Sequence, residues 1–228
     1  MATENNQFFK LAPQNTIFSL QPALTPQMRL ILLDWMCQVS SDYCLKRKTF
    51  HLAIKYVDSY LVRCNEILQT QHFQLLGVTC LHMASKIEEI YPPHIAAFVE
   101  STNNSVDQQQ MIDLEFKICN TFNWKLTGLL TLHDWATWYM KEWDSYVDGS
   151  LSYLKQQFAL KFYDNSRSAL LKYKTVMQFT DAVAIDAASN QFVPRHLIAA
   201  IMYLILGGKD IMCAFQFEYK DMHAVFAH

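Results

Sequence analysis

An almost uncharged run of apolar residues, FQLLGVTCLHMAS, predicts a helix from about His72 to Ile90 at the centre of the fold. Apolar side chains cover nearly every face of this helix, a pattern typical of a helix enclosed by other helices. These side chains are Leu75, Leu76, Val78, Cys80, Leu81, Met83 and Ala84. Gly77 costs about 1 kcal/mol relative to alanine in a helix interior, so we expect it to allow close approach by a neighbouring helix.

The composition and charge indicate a soluble, helix-rich chain. Its 228 residues can form one large domain or two smaller ones, and its five glycines and six prolines favour helices. A net charge of -2 argues against a partner that is a nucleic acid or an acidic membrane. The N-terminus lacks the charged and apolar regions of a signal peptide, and no uninterrupted apolar run reaches membrane-spanning length, so we expect a protein of the cytosol or nucleus.

The sequence contains none of the motifs that we would assign to an enzyme. It has no glycine-rich phosphate loop, no G-x-S-x-G and no H-E-x-x-H, so catalysis is disfavoured and we expect neither a metal nor another cofactor. The six cysteines form no Cys-x-x-Cys pair and lie mostly in apolar helical stretches. This pattern favours reduced thiols of an intracellular protein over zinc ligands or disulfides.

Two apolar stripes run along the first strongly predicted helix. Residues 1–23 are predicted to be an irregular arm, after which Thr25 is a helix N-cap and Pro26 the first helical residue. One stripe contains Met28, Ile31, Leu32, Trp35 and Val39, and the other contains Leu30, Leu33 and Cys37. One stripe faces the protein's own core, and the other is either covered by a neighbouring element or is a binding groove.

Several charged residues lie within or between the helices that follow. Asp58 lies among apolar neighbours, where an uncompensated carboxylate would be costly, and Arg29 is its expected partner. Lys46, Arg47 and Lys48 are predicted to form a solvated loop, and Glu88 and Glu89 a solvated helix end. A short helix is expected over 94–100.

A capping box of Ser105 and Gln108 is predicted to open the next helix. Met111, Leu114, Ile118 and Phe122 share one face of this helix, and Glu115 lies beside them.

The helical pattern restarts after Trp124. Helices are predicted over about 129–143 and 169–188, and a further helix from Pro194 to the Gly207-Gly208 break. Met222, Val225 and Phe226 then begin a helix that stops at the end of the sequence. We therefore expect two helical domains in tandem, residues 24–124 and 125–228, the second incomplete at its C-terminus.

Two long motifs resemble signatures of the cyclin family. MRLILLDW (residues 28–35) and ASKIEEIYPP (84–93) are similar to two cyclin-box segments, and YVDSYL (56–61) and QLLG (74–77) resemble segments that lie between them. The resemblance is strongest to the E-type cyclins, through LTPQMRLILLDWM and NWKLTGLLTLHDWATWYM. It covers about residues 20–206 and implies an all-α fold of two tandem five-helix cyclin boxes.

The resemblance also implies a function without catalysis. Cyclins are regulatory subunits that bind and activate cyclin-dependent kinases, so a nuclear protein of the G1/S transition is expected. Lys86 and Glu115 match the residues that hydrogen-bond the kinase backbone, and Ile87, Leu114 and Ile118 are the expected apolar contacts around them. The open alternatives are a cyclin-fold scaffold or decoy that activates no kinase, and an unrecognised all-α hydrolase.

A substrate-docking patch is the second expectation from the resemblance. Its residues would be Met28, Ile31, Leu32, Trp35, Gln38 and Gln74, which match a groove for Arg-x-Leu motifs of substrates and inhibitors. Arg29 and Asp58 match a buried ion pair beneath that groove. Leu30 replaces the usual Ala. Gln38 replaces a Glu that would attract the arginine of the motif, so loss of this charge-assisted bond should weaken docking by about 1 to 2 kcal/mol.

Members of the family usually have a helix before the first box, and no such helix is evident in this sequence.

Overall fold

The structure, a computed structural model, describes residues 14–143, 166–186, 188–189 and 192–206. All regular structure in these ranges is helical, as the sequence predicted. The helices are α1 (Gln14–Leu20), α2 (Pro26–Asp42), α3 (Arg47–Arg63), α4 (Phe73–Glu88), α5 (Ile95–Ser101), α6 (Gln108–Thr121), α7 over residues 132–143, α8 (Ser166–Ile185) and α9 (Pro194–Leu206). No helix of this described part combines the length and hydropathy needed to cross a bilayer.

The chain divides into two compact units. The first unit contains residues up to Thr131 together with Ala184–Gln191, and the second contains Leu132–Val183 with the residues from Phe192 onward. Within the first unit α4 contacts α2, α3, α5 and α6. Every residue of α4 from Leu76 to Ser85 is buried. The prediction of a central, enclosed helix is therefore confirmed.

Gly77 lies where α4 crosses α2. A Cβ atom added at Gly77 would lie 2.7 Å from Cδ1 of Leu32 and 3.2 Å from the sulfur of Met36. Ordinary van der Waals contact requires a larger separation, so the absence of a side chain at Gly77 allows the two helices to meet. This is the close approach that the sequence predicted.

Replacing Gly77 with alanine should destabilise the protein by about 1 kcal/mol. The substitution gains about 1 kcal/mol of helix propensity, but overpacking against Leu32 and Met36 typically costs 1 to 3 kcal/mol. In a Leu32→Ala background the clash with Cδ1 is gone, so the same substitution should stabilise the protein. Urea denaturation of the wild type and the three variants measures both effects, and a stabilising Gly77→Ala in the wild-type background would contradict the prediction.

The helix starts are partly as predicted. Thr25 is the N-cap of α2, and its hydroxyl accepts the backbone N–H of Met28 at 3.2 Å. The predicted capping box of Ser105 and Gln108 is wrong, because Asp107 and Gln110 form it instead. The N–H of Asp107 donates to Oε1 of Gln110 at 2.9 Å. Both pairs are separated by three residues, so spacing alone does not distinguish them. Val106 is buried in the core, and the residue directly after it, Asp107, is the N-cap of α6.

The arm predicted over residues 1–23 is not irregular in its described part, because residues Gln14–Leu20 form α1. Ile17 is fully buried, and the amide of Gln21 donates to the carbonyl oxygens of Leu61 (3.3 Å) and Glu66 (3.1 Å). The N–H of Leu68 donates to Oε1 of Gln21 at 2.8 Å. A helix of seven residues has marginal stability in isolation, so α1 depends on these tertiary contacts. The local sequence pattern therefore did not predict it.

The end of α4 is paired, and the prediction of a solvated Glu88-Glu89 end is wrong. Nζ of Lys48 lies 3.2 Å from Oε1 of Glu88, and the backbone N–H of Lys46 donates to Oε1 of Glu89 at 2.7 Å. The predicted loop of residues 46–48 thus lies at the start of α3, where Lys46 and Lys48 face two carboxylates and partly neutralise their charge. The Tyr91-Pro92-Pro93 segment follows, with Tyr91 almost fully exposed.

The second unit has its own apolar core between α7, α8 and α9. Its buried members are Ala136, Tyr139, Met140, Val176, Met177, Ile198, Ile201 and Met202. Pro194 opens α9 as predicted, whereas α7 starts at 132 and α8 ends at Ile185, each three residues inside the predicted bounds. The Gly207-Gly208 break and the last helical pattern (222–226) lie outside the described residues. That this unit repeats the fold of the first remains a prediction.

Candidate functional site

The predicted ion pair between α2 and α3 is present and fully buried. Nε of Arg29 donates to Oδ1 of Asp58 at 2.8 Å, and Nη2 donates to Oδ2 at 2.7 Å. Both side chains are at most 1% exposed. Burial alone would lower the pKa of the Arg29 guanidinium, but the charge of Asp58, its hydrogen bonds and the charge of Asp186 together raise this pKa above its ordinary value. The pair is therefore a fixed, charged element of the interior.

Arg29 has a second set of partners that the sequence did not suggest. Its Nη1 donates to the backbone oxygen of Ile185 at 2.7 Å, and Nη2 lies 3.4 Å from the oxygen of Ala184. Both carbonyls belong to the last turn of α8, where no further helical N–H is available to bond them. The guanidinium therefore joins α2, α3 and the 184–191 segment within the first unit.

The outer face of α2 carries most of the residues that were predicted to form a docking patch. Ile31 is 59% exposed, Met28 and Trp35 are partly exposed, and Gln74 reaches the surface from the first turn of α4. Leu32 is only 6% exposed because it packs against Gly77, so it contributes the floor of the patch and little of its surface. The patch combines partly exposed apolar side chains with two carboxamides, those of Gln74 and Gln38.

The two positions that depart from the cyclin pattern are both at the surface. Leu30 is 41% exposed. Gln38 is exposed, and its Nε2 donates to Oδ2 of Asp34 at 3.0 Å. The nearest carboxylate to Gln38 is thus one helical turn away, on the same face of α2, and the amide of Gln38 holds it in place.

Lys86 and Glu115 come together between the end of α4 and the middle of α6. Nζ of Lys86 donates to Oε1 of Glu115, while the side chains remain 41% and 23% exposed. Nδ1 of His82 lies 3.7 Å from the other carboxylate oxygen. Burial, and then the positive charge of Lys86, lower the pKa of His82 to about 4, so the imidazole beside Glu115 is neutral at pH 7.

The apolar surroundings of this pair differ from the prediction. Ile87 and Leu114 are partly exposed, but Ile118 is 0% exposed, so its assignment as a surface contact is wrong. Ile118 shares the buried face of α6 with Met111 and Phe122, and that face packs into the core. Because Ile118 has no exposed surface, it cannot contact a partner.

Two exposed aromatic residues that the sequence analysis did not select lie on the same helix and just after it. Phe116 is 60% and Trp124 62% exposed, and their rings meet edge to face at 6.1 Å between centroids. Nε1 of Trp124 donates to Oδ1 of Asn120 at 3.1 Å. The available signal was the position of Phe116 off the apolar stripe of α6, since a large exposed aromatic side chain is typical of an interface.

The described residues contain no group of three or more His, Cys, Asp or Glu side chains that could hold a metal ion. The five cysteines among them form no disulfide. The chemistry of this surface, as far as it is described, consists of apolar contact, hydrogen bonding and charge.

Sequence comparison identifies the first unit directly. Residues 1–127 match the family described as "Cyclin, N-terminal domain". The chain is 30% identical over 203 residues to the G1/S-specific cyclin-E of Hemicentrotus pulcherrimus, covering 89% of this chain and 46% of that protein. It is 39% identical over 120 residues to the G1/S-specific cyclin-E of Drosophila melanogaster, covering 53% and 17%. The chain therefore spans less than half of the length of these curated relatives.

Solved structures share the fold. A viral cyclin from herpesvirus saimiri superposes with a TM-score of 0.66 at 17% identity, over 92% of this chain and 84% of that one. The CAK complex of Chaetomium thermophilum bound to ATP-gamma-S gives a TM-score of 0.56 at 12% identity, over 98% and 72%. At these identities the superpositions establish the fold alone. Because more than half of its sequence matches the cyclin N-terminal domain, the chain belongs to the cyclin family.

Proposed function

We propose that the chain is a regulatory subunit that binds and activates a cyclin-dependent serine/threonine protein kinase. The observation that carries the proposal is the pairing of Lys86 with Glu115 at the surface, beside the exposed aromatic pair of Phe116 and Trp124. A cation and an anion within an apolar surface can fix the register of a contact whose area comes from the apolar groups. This combination suits recognition of a helix start, where backbone donors lack partners.

Activation by such a subunit is a population shift in the partner. An active kinase requires its αC helix to rotate inward so that a glutamate of that helix pairs with the lysine of strand β3. A preformed helical block that binds the inward state better shifts the equilibrium without supplying a catalytic group. A shift from 1:99 to 99:1 requires about 5.5 kcal/mol of differential binding, which implies an interface of roughly 2,000 Å² or more.

The names of the relatives support a role in cell-cycle control at the G1/S transition. We extend the proposal to the nucleus as the place of action, because the substrates of a G1/S kinase would be found there. No nucleic-acid or membrane partner is part of the proposal, since the net charge of -2 offers no basic excess for either.

The second part of the proposal concerns substrate recruitment. The outer face of α2 would bind Arg-x-Leu motifs of substrates and inhibitors through Met28, Ile31 and Trp35, with Gln74 as a polar contact. The packing of Leu32 on Gly77 supports this use, because it holds the exposed side chains on a rigid floor. Docking here would raise the local concentration of substrate near the bound kinase.

The direct test mixes the full chain with purified cyclin-dependent kinases and measures phosphorylation of histone. We expect at least one kinase to gain activity by orders of magnitude when the chain is added. Binding of a kinase without any gain in activity would replace this proposal by the alternative of a cyclin-fold scaffold or decoy. Absence of binding to every cyclin-dependent kinase tested would contradict the proposal and leave a scaffold that binds no kinase.

Gln38→Glu should strengthen docking of an Arg-x-Leu peptide about fivefold. A second carboxylate beside Asp34 provides a charge-assisted partner for the arginine, and such bonds are about 1 kcal/mol stronger than neutral ones. Titration of a fluorescent peptide measures the dissociation constant, and the gain should shrink as salt is added.

The matched control for this substitution is Gln109→Glu. Gln109 is also exposed and also donates to a carboxylate in its own helix, Oδ1 of Asp113 at 2.9 Å, but it lies on α6. Equal affinity gains from both variants would reflect net charge alone. An unchanged affinity for Gln38→Glu would place Gln38 outside the docking patch.

A further inference from the structure

The carboxamide of Gln74 is held by a residue from a different part of the first unit. The hydroxyl of Ser105 donates to Oε1 of Gln74, with 3.3 Å between the oxygen atoms. Gln74 lies in the first turn of α4, and Ser105 lies in the loop between α5 and α6. The two residues are 31 positions apart in sequence, so only the fold brings them together.

The loop that carries Ser105 is fixed on both sides. Before it, the hydroxyl of Thr102 donates to the carbonyl oxygen of Val99 at 2.7 Å, and Thr102 is buried. After it, Val106 is buried, and the capping box of Asp107 holds the start of α6. The Ser105 hydroxyl is exposed, but its backbone has little freedom, so the hydrogen bond to Gln74 has a defined direction.

This bond orients the Gln74 amide, with its oxygen toward Ser105. A carboxamide has one acceptor oxygen and one NH₂ donor group. The oxygen accepts the Ser105 hydroxyl, whereas Nε2 of Gln74 makes no hydrogen bond to any part of the chain that the structure describes. Gln74 therefore presents a donor one helical turn before Gly77, where α4 meets the apolar residues Leu32 and Met36 of α2. An extended peptide carries backbone carbonyls that accept such donors.

We propose that Ser105 is a positioning residue of the docking patch, which orients the Gln74 amide so that its NH₂ group binds a backbone carbonyl of the docked peptide. The ligand class is an extended peptide segment that places an apolar side chain on Ile31 and Trp35. This inference rests on the proposed docking function. It adds Ser105, which contributes to peptide binding by orienting Gln74 and does not need to contact the peptide itself.

The test measures binding of a fluorescent Arg-x-Leu peptide to the full chain and its variants. Ser105→Ala should weaken binding about three- to tenfold, the range expected for loss of one oriented hydrogen bond. Ser105→Thr retains the hydroxyl and should bind within about twofold of wild type. In a Gln74→Ala background, Ser105→Ala should have no further effect, because the amide that it orients is gone.

The outcomes separate the two proposals. If the wild-type chain does not bind the peptide, the docking function fails, and this inference fails with it. If the wild-type chain binds but Ser105→Ala binds equally well, the inference alone is overturned. It is also overturned if Ser105→Ala weakens binding by the same factor in the Gln74→Ala background, which would show that Ser105 acts independently of Gln74.

Discussion

Arg29→Ala should destabilise the first unit by about 3 to 5 kcal/mol. The substitution leaves the Asp58 carboxylate buried without its bidentate partner, which is the costly way to break an ion pair. It also removes the donors of the Ile185 and Ala184 carbonyls. Native proteins are stable by only about 5 to 15 kcal/mol, so we expect a large loss of soluble expression. Hydrogen exchange of the buried α4 amides, with urea denaturation, measures the effect in this unit.

Two further variants test the physical reason. The double variant Arg29→Met with Asp58→Leu replaces both charges by apolar groups, and we expect it to recover at least about 2 kcal/mol relative to Arg29→Ala. Asp34→Ala, at an exposed position of the same helix, should change stability by no more than about 0.5 kcal/mol. A loss below about 1 kcal/mol for Arg29→Ala would contradict the assignment of a structural role to the pair.

Lys86→Ala combined with Glu115→Ala should reduce stimulation of the partner kinase about a hundredfold or more at subsaturating concentrations. Two charge-assisted hydrogen bonds to the partner would be lost, each worth roughly 1.5 to 3 kcal/mol. Fold stability should change by at most about 1 kcal/mol, because both side chains are partly exposed and the pair is solvent-screened. Histone phosphorylation at several chain concentrations measures the loss, and circular dichroism establishes that the fold is retained.

The same unit provides a matched control for this experiment. Nζ of Lys117, also on α6, lies 2.6 Å from Oε2 of Glu66, and both side chains are more exposed than Lys86 and Glu115. Lys117→Ala with Glu66→Ala removes an ion pair of the same chemistry outside the proposed interface, so kinase stimulation should stay near the wild-type value. Retained stimulation in the Lys86 and Glu115 double variant would remove these two residues from the proposed interface.

The candidate site was predictable where a local motif specified it. Lys86 and Glu115 were selected through their positions in a recognisable pattern, and the structure brings them into contact. Ile118 was assigned to the surface because it neighbours Glu115 in the helical repeat, but that repeat is the core-facing stripe of α6. Phe116 and Trp124 were missed because exposure of an aromatic residue depends on what packs around it, and sequence periodicity does not report this.

The sequence by itself determined the helical class, the enclosed central helix and its close crossing at Gly77. These follow from apolar periodicity and from the absence of a side chain, which act over a few residues. Only the tertiary structure decided that α1 forms, that Arg29 also bonds the end of α8, and that Ser105 meets Gln74. Each of these joins segments far apart in the chain, so its free energy depends on contacts that exist only once the helices have packed.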